Sequence, residues 1–349
     1  MGKQGILKKI IVSMITLTGL TAILGFLFRD NLGDIALAFR ALSLPDILWL
    51  FVLGASYQLL DAVACLRLVR TTFPTFPYRR AVEVIYLGVF SKTSTLGAGI
   101  VPVQAYYLHR CGIEVGQGVG TMTFSYVLHK AAVLLMAAVL LLLGGGWLRS
   151  AIPGLHNYLV AGYLICFGII LALLLLCVWS KAHDFAIWIV GKLPEQGKWS
   201  KRKGALQKQL DSLYYGTAAF LKNKRVVWIA FLTHTAKLLI LCAVPHACIR
   251  MLGGAEISLL HTELLTALTL LIAGAIPNIA GIGPTEAGFF LMFNPLLGNA
   301  MTASSLLLFR IATYYFPFIV SVIVFLIVQI RLLSKGSSKE VKQDENRSD

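Results

Sequence analysis

Five apolar runs, Ile10–Phe28, Ile47–Leu66, Tyr158–Trp179, Val226–Ile249 and Ile311–Ile330, constrain this chain more than any other feature. Each approaches or exceeds the roughly 20 residues that carry a helix across the hydrocarbon core of a bilayer. A sixth run, Val119–Leu143, is interrupted only by His129 and Lys130. Backbone crossing a bilayer must satisfy its own hydrogen bonds, so runs of this length predict an all-α polytopic membrane protein. Only 13% of the 349 residues are charged and 57% are hydrophobic, too few charges to coat a soluble domain of this length. The first run follows Lys8 and Lys9 and ends in Phe26-Leu27-Phe28-Arg29 with no small-residue cleavage site, which predicts an uncleaved first span.

A net charge of +15 raises the question of nucleic acid, but the basic residues fall between the apolar runs. That distribution suits loops beside anionic lipid, and no nucleic-acid binding is expected. The six cysteines form no CxxC pair and mostly lie in apolar runs, as small buried hydrophobes do. No phosphate-binding loop, nucleophile elbow, zinc-protease or dinucleotide motif occurs, so no catalytic residue, cofactor or metal is assigned.

Two further apolar stretches, about 82–112 and 262–296, are broken at mid-length by glycine, proline and polar residues. Neither reads as one unbroken helix. Loop charge decides how they lie. Between Lys181 and Arg225 there are ten Lys or Arg against Asp184, Glu195 and Asp211, so the loop 180–225 is expected in the cytoplasm. Starting from an inside N-terminus with Lys3, Lys8 and Lys9, the loop reaches that side only if 82–112 enters and returns. The same reasoning applied to 262–296 places the tail, with Arg331, Lys335 and Lys339, inside. The expected layout is a membrane domain over 1–334, with about six full spans, two re-entrant hairpins and both termini cytoplasmic. A polar tail over 335–349 is expected to be disordered. The stretch Asp184–Leu193, with Phe185, Ile187, Trp188 and Ile189, suits the membrane surface.

The two broken stretches resemble each other. Gly99-Ile-Val-Pro102-Val-Gln104-Ala105 and Gly281-Ile-Gly283-Pro284-Thr-Glu286-Ala287 share the pattern G-I-x-P-x-[Q/E]-A. Tyr106-Tyr107 and Phe289-Phe290 follow, and then a long run with a cation: Lys130 is 28 residues after Pro102, and Arg310 is 26 after Pro284. Three spans separate the two broken stretches, so the units they open, about 82–146 and 262–333, are expected upside-down to one another, the pattern of an inverted-repeat transporter. Irregular backbone at membrane depth lines a wet cavity or is buried in protein, and the ends of half-helices attract anions.

Ionisable groups inside apolar runs are costly and mark function or structural pairing. Here they are Asp61, Lys130, Lys237 with His234, Glu286 and Arg310. Glu286 or Asp61 could pair with Arg310 or Lys130, and the sequence does not say which. Glu286, Arg310, Lys130, Asp61 and Gln104 form the expected lipid headgroup cavity, with breaks at Gly99, Pro102, Pro277, Gly281, Gly283 and Pro284.

The run Ile276-Pro277-Asn278-Ile279-Ala280-Gly281-Ile282-Gly283-Pro284-Thr285-Glu286-Ala287 resembles the late motif of the lysylphosphatidylglycerol synthase transmembrane family. The break at Gly97–Ala105, followed by Tyr106-Tyr107-Leu108-His109-Arg110, resembles its first-half motif. The likeness covers about residues 5–335. Gln104 departs from it where an acidic residue is common, and His129-Lys130 where an arginine is common.

The resemblance implies a multi-pass protein of the bacterial cell membrane, with a phospholipid as substrate. In full-length members the membrane domain presents or moves the lipid, and a cytosolic acyltransferase-like domain transfers lysine from lysyl-tRNA to phosphatidylglycerol. The product lowers the negative charge of the outer leaflet and blunts cationic antimicrobial peptides. No such domain is recognised in this sequence. The expectation is therefore a flippase-type transporter of phosphatidylglycerol or lysylphosphatidylglycerol. The alternatives are a phosphatidylglycerol lysyltransferase, whole or as a membrane half completed by a separate soluble acyltransferase, and a carrier of polyprenyl-phosphate sugars beside a glycosyltransferase. Assembly as a homo-oligomer is left open.

Overall fold

The computed structural model describes residues 40, 42–95, 99–154, 156–194, 222–254, 256–275 and 283–345, with a subset of positions between 203 and 220. The helices in chain order are α1 (Leu44–Val69), α2 (Tyr78–Ser94), α3 (Ile100–Arg110), α4 (Val115–Ala151), α5 (His156–Val178), α6 (Ser180–Gly191), α7 (Lys224–Met251), α8 (Leu259–Ala275), α9 (Pro284–Arg310) and α10 (Phe316–Glu345). A π-helical turn, Ile311–Tyr315, joins the last two. There is no strand among the described residues. Among the described residues, five helical stretches are long and apolar enough to cross a membrane. The chain is an all-α multi-pass membrane protein. The expected first span, Ile10–Phe28, lies outside the described residues, as do the breaks at Pro277 and Gly281.

Both interrupted stretches fold back on themselves. In the first, α2 ends at Ser94 and the Gly99 amide donates to the Thr95 hydroxyl oxygen (2.6 Å). Pro102 stands in the first turn of α3, where a missing N–H leaves no gap in the helical ladder. Going away from the tip, Gly88 lies against the Gln104 side chain and the Tyr107 hydroxyl donates to Glu83. This pairing is that of an antiparallel helical hairpin. In the second, Gly288 of α9 lies against Thr269 of α8 (3.3 Å from an added Cβ). Pro284 and Pro102 are 182 residues apart, and shifting the 269/288 contact back by 182 places it at 87/106, beside the 88/104 contact of the first hairpin. The two hairpins therefore share register as well as motif.

The same shift carries α1 onto 226–251, nearly the bounds of α7, so the correspondence begins one helix earlier than the motifs suggest. It also carries Gly116, just inside the start of α4, onto Gly298, whose φ of +72° breaks α9 into 284–297 and 299–310. Only glycine takes that conformation without strain.

The hairpins approach α4 from opposite ends. Ala105 of α3 meets Gly118 near the start of α4 (3.4 Å from an added Cβ), whereas His261 near the start of α8 stacks on Trp147 near its end (3.9 Å between centroids). Their tips converge towards the middle, where the Lys130 Nζ lies beside Gly274 of α8 (2.7 Å from an added Cβ). A buried latch closes the base of the first hairpin: Glu83 accepts from Arg331 of α10 (2.8 Å) and from Tyr107.

The π turn has a local cause. Pro317 has no N–H to give and its ring crowds the carbonyl four residues back, and a widened turn relieves both. Gly54 of α1 packs directly on the Ala312 carbonyl in that turn. We expect Gly54→Ala to destabilise the protein by about 1–3 kcal/mol, because the added methyl meets backbone that cannot give. Gly145→Ala, where an added methyl meets nothing within 4 Å, is the control. Thermal unfolding of the two variants in detergent checks the difference.

The basic loop is more structured than the sequence implied. It holds α6, which exposes Phe185, Trp188 and Ile189, and helical positions over 203–220. The His183 Nε2 sits 3.1 Å from Asp211 Oδ1, and the Thr217 hydroxyl donates to the Cys177 carbonyl (2.7 Å). The tail also departs from expectation. α10 continues to Glu345, through residues expected to be disordered, because nothing after Pro317 breaks the helix strongly and Lys, Glu and Gln favour it.

Candidate functional site: a charged seam between the hairpin tips

Glu286 is the third residue of α9 and sits just beyond the break. Gly283, at φ +100°, turns the chain there, and its amide donates to the Glu286 carboxylate (2.6 Å). The same carboxylate forms an ion pair with Arg310 at the far end of α9. Both side chains are buried, at 7% and 6% exposure. The kink at Gly298 makes this contact possible, since it lets one helical run fold its end back towards its start. Arg310 also lies over the Tyr314 ring (5.5 Å), and the Tyr314 hydroxyl is 3.4 Å from the Thr93 hydroxyl at the tip of the first hairpin.

Among the pairings the sequence left open, Glu286–Arg310 is formed. Asp61 pairs elsewhere, with Lys237 of α7 (2.6 Å) and at 3.6 Å from His234. These are two separate ion pairs, one between the two ends of α9 and the other between α1 and α7. Gln104 is buried inside the first hairpin against Gly88 and joins neither pair. Gly99 and Pro102 stand at the start of α3, and Gly283 and Pro284 at the start of α9.

Lys130 has no carboxylate partner among the described residues. Its Nζ lies 5.4 Å from the centre of the Tyr126 ring and beside Gly274. It lines a cavity of about 70 Å³ between α4, α5 and α8, whose other walls include Val133, Cys166, Ile170 and Leu270. That space holds a few water molecules. On the neighbouring surface α5 exposes Leu164, Ile165 and Ile169.

Sequence reasoning missed Lys92. It lies one turn before the tip of the first hairpin, within electrostatic reach of Arg310, Glu286 and Lys130. It too has no carboxylate partner among the described residues. Its flanks, Ser91 and Thr93-Ser94-Thr95, read as part of the polar break rather than as a charge inside an apolar run. The criterion that singled out Lys130 applies equally to Lys92.

Among the described residues the seam thus holds three cations, Lys92, Lys130 and Arg310, against one carboxylate, Glu286, while Asp61 and Lys237 offset each other in their own pair. Arg310 is neutralised, and Lys92 and Lys130 have no carboxylate partner there. Unpaired ammonium groups in an apolar interior are costly unless something supplies negative charge. An anion with apolar tails fits both requirements: its charge meets Lys92 and Lys130, and its tails meet the cavity wall and the surface of α5.

Comparison with known proteins gives one finding. A family model described as lysylphosphatidylglycerol synthase TM region matches residues 7–321. No match was found among curated proteins.

Proposed function

The chain belongs to the lysylphosphatidylglycerol synthase TM region family, a membrane protein tied to lipid handling, and from that premise we propose that it is a flippase-type transporter of phosphatidylglycerol or lysylphosphatidylglycerol. The observation that carries this reading is the excess of cations between the two hairpin tips. A phosphodiester headgroup replaces the missing counter-charge, and Lys92 and Lys130 hold it. The hairpins are taken as an inverted repeat whose tips meet at the membrane midplane, open alternately to each side. The protein sits in the bacterial cell membrane with both termini cytoplasmic. Moving lipid between leaflets changes outer-leaflet charge, and with it sensitivity to cationic antimicrobial peptides.

The charge excess also ranks the two lipids. Phosphatidylglycerol carries one net negative charge and suits the seam, whereas lysylphosphatidylglycerol brings ammonium groups that Lys92 and Lys130 repel. The test is a quenching assay in proteoliposomes loaded with fluorescent analogues of each. The expected result is protein-dependent exposure of protected lipid, faster for phosphatidylglycerol. Equal protection of both lipids with and without protein would contradict transport. It would favour a membrane half that presents lipid to a separate acyltransferase.

A further inference from the structure

A second polar cluster lies beside the headgroup seam and does not serve it. Asp61 of α1 receives the Lys237 ammonium at 2.6 Å, and the His234 Nδ1 stands 3.6 Å from the same carboxylate oxygen. The other ring nitrogen of His234 is 3.2 Å from the Ser125 hydroxyl on α4. His129, one turn further along α4, has its ring 5.7 Å from that of His234 and is followed directly by Lys130. Neither His129 Nδ1 nor His234 Nδ1 has a hydrogen-bond partner among the described residues. His234 and Lys237 are almost fully buried, and the Asp61 side chain keeps 22% exposure, the most of the three.

We propose that Asp61, with Lys237 and His234, is a proton-binding site that couples lipid movement to a proton gradient. This rests on the headgroup reading above. In the step, a proton from water bonds to an Asp61 carboxylate oxygen. The ion pair to Lys237 loses its negative half, and the interior gains one positive charge. An anionic headgroup entering beside Lys130 removes one. Each event therefore favours the other, reciprocally. His234, Ser125 and His129 link Asp61 to the backbone neighbour of Lys130.

The charged and titratable groups facing this cluster come from several elements. Tyr57 and Cys65 lie on α1 itself, and His234 and Lys237 on α7. α4 contributes His129 and Lys130, and α2 contributes Lys92; His129 lies within electrostatic reach of Lys130, Lys92, His234 and Lys237. Tyr314, in the π turn that packs on α1, faces Arg310 and Glu286 instead, with the Tyr315 ring edge-on against it.

One proton moving with one phosphatidylglycerol anion is electroneutral. A gradient of one pH unit should then hold about a tenfold excess of the lipid in the leaflet facing the alkaline side. A membrane potential should have no effect. The experiment measures the leaflet distribution of fluorescent phosphatidylglycerol in proteoliposomes under a pH gradient, and separately under a potassium-diffusion potential. Protein-free liposomes provide the baseline. Asp61→Asn alone leaves Lys237 buried and uncompensated, so the variant to use is Asp61→Asn with Lys237→Met, checked for monodispersity by size exclusion. Wild type should show the tenfold asymmetry and the double variant should show none. Lipid that equilibrates evenly under the pH gradient would overturn the coupling while leaving transport standing, as would a distribution set by the potential. A double variant that keeps its response to the gradient would remove the site from Asp61. No protein-dependent movement at all would overturn the coupling and the headgroup reading together.

Discussion

Arg310→Ala lowers the stability of the folded protein by about 3–5 kcal/mol, because it strands a carboxylate in the interior. Glu286 is 7% exposed and tied to the Gly283 amide at the turn, so it cannot swing out to find another partner. Removing the guanidinium also frees the end of α9 from its start, and the kink at Gly298 loses its closing contact. The pair is worth this much when broken by halves and far less when replaced whole. The double variant Glu286→Gln with Arg310→Met should therefore recover most of the loss. Glutamine still offers an oxygen to the Gly283 N–H. Thermal unfolding in detergent of the single and double variants checks the prediction. An Arg310→Ala protein as stable as wild type would mean that the contact does not organise the second hairpin.

Lys92→Met combined with Lys130→Met has effects of opposite sign on function and stability. Each lysine supplies a charge-assisted contact to the proposed phosphodiester, of the order of 1.5–3 kcal/mol, or roughly 10- to 150-fold. Together they should reduce phosphatidylglycerol movement by about a hundredfold or more. Stability should hold or rise, because two partly buried ammonium groups without carboxylate partners disappear. The same protein samples, assayed for transport by quenching and for unfolding by heating, give both numbers. A variant that loses transport and stability together would indicate that the lysines hold the fold rather than a lipid.

Much of the fold was legible because bilayer crossing leaves so few options. Each expected span within the described residues falls in a helix, and the breaks at Gly99–Pro102 and Gly283–Pro284 fall where proline and positive-φ glycine must interrupt one. The expectation that each broken stretch returns came from loop charge alone. Side-chain pairing was not legible. Glu286 reaches Arg310 because Gly298 redirects the chain between them, and no spacing rule foresees a kink of that size. Asp61 reaches Lys237 because α1 packs along α7, a contact between segments 176 residues apart. The base latch of Glu83, Tyr107 and Arg331 was missed for the same reason. Lys92 was missed through its hydroxyl-rich neighbours, although it lies in the described part of the first hairpin and the repeat spacing sets it opposite Gly274, the residue Lys130 touches.

The most direct measurement of the headgroup site is lipid retention. The protein would be extracted gently and examined by native mass spectrometry after exposure to an equal mixture of phosphatidylglycerol and phosphatidylethanolamine. Wild type is predicted to retain one phosphatidylglycerol in preference to phosphatidylethanolamine. The Lys92→Met, Lys130→Met variant is predicted to lose that preference, even though the basic loop and its surface charge are untouched. Equal retention of phosphatidylglycerol by the two proteins would contradict an anionic headgroup site between the hairpin tips.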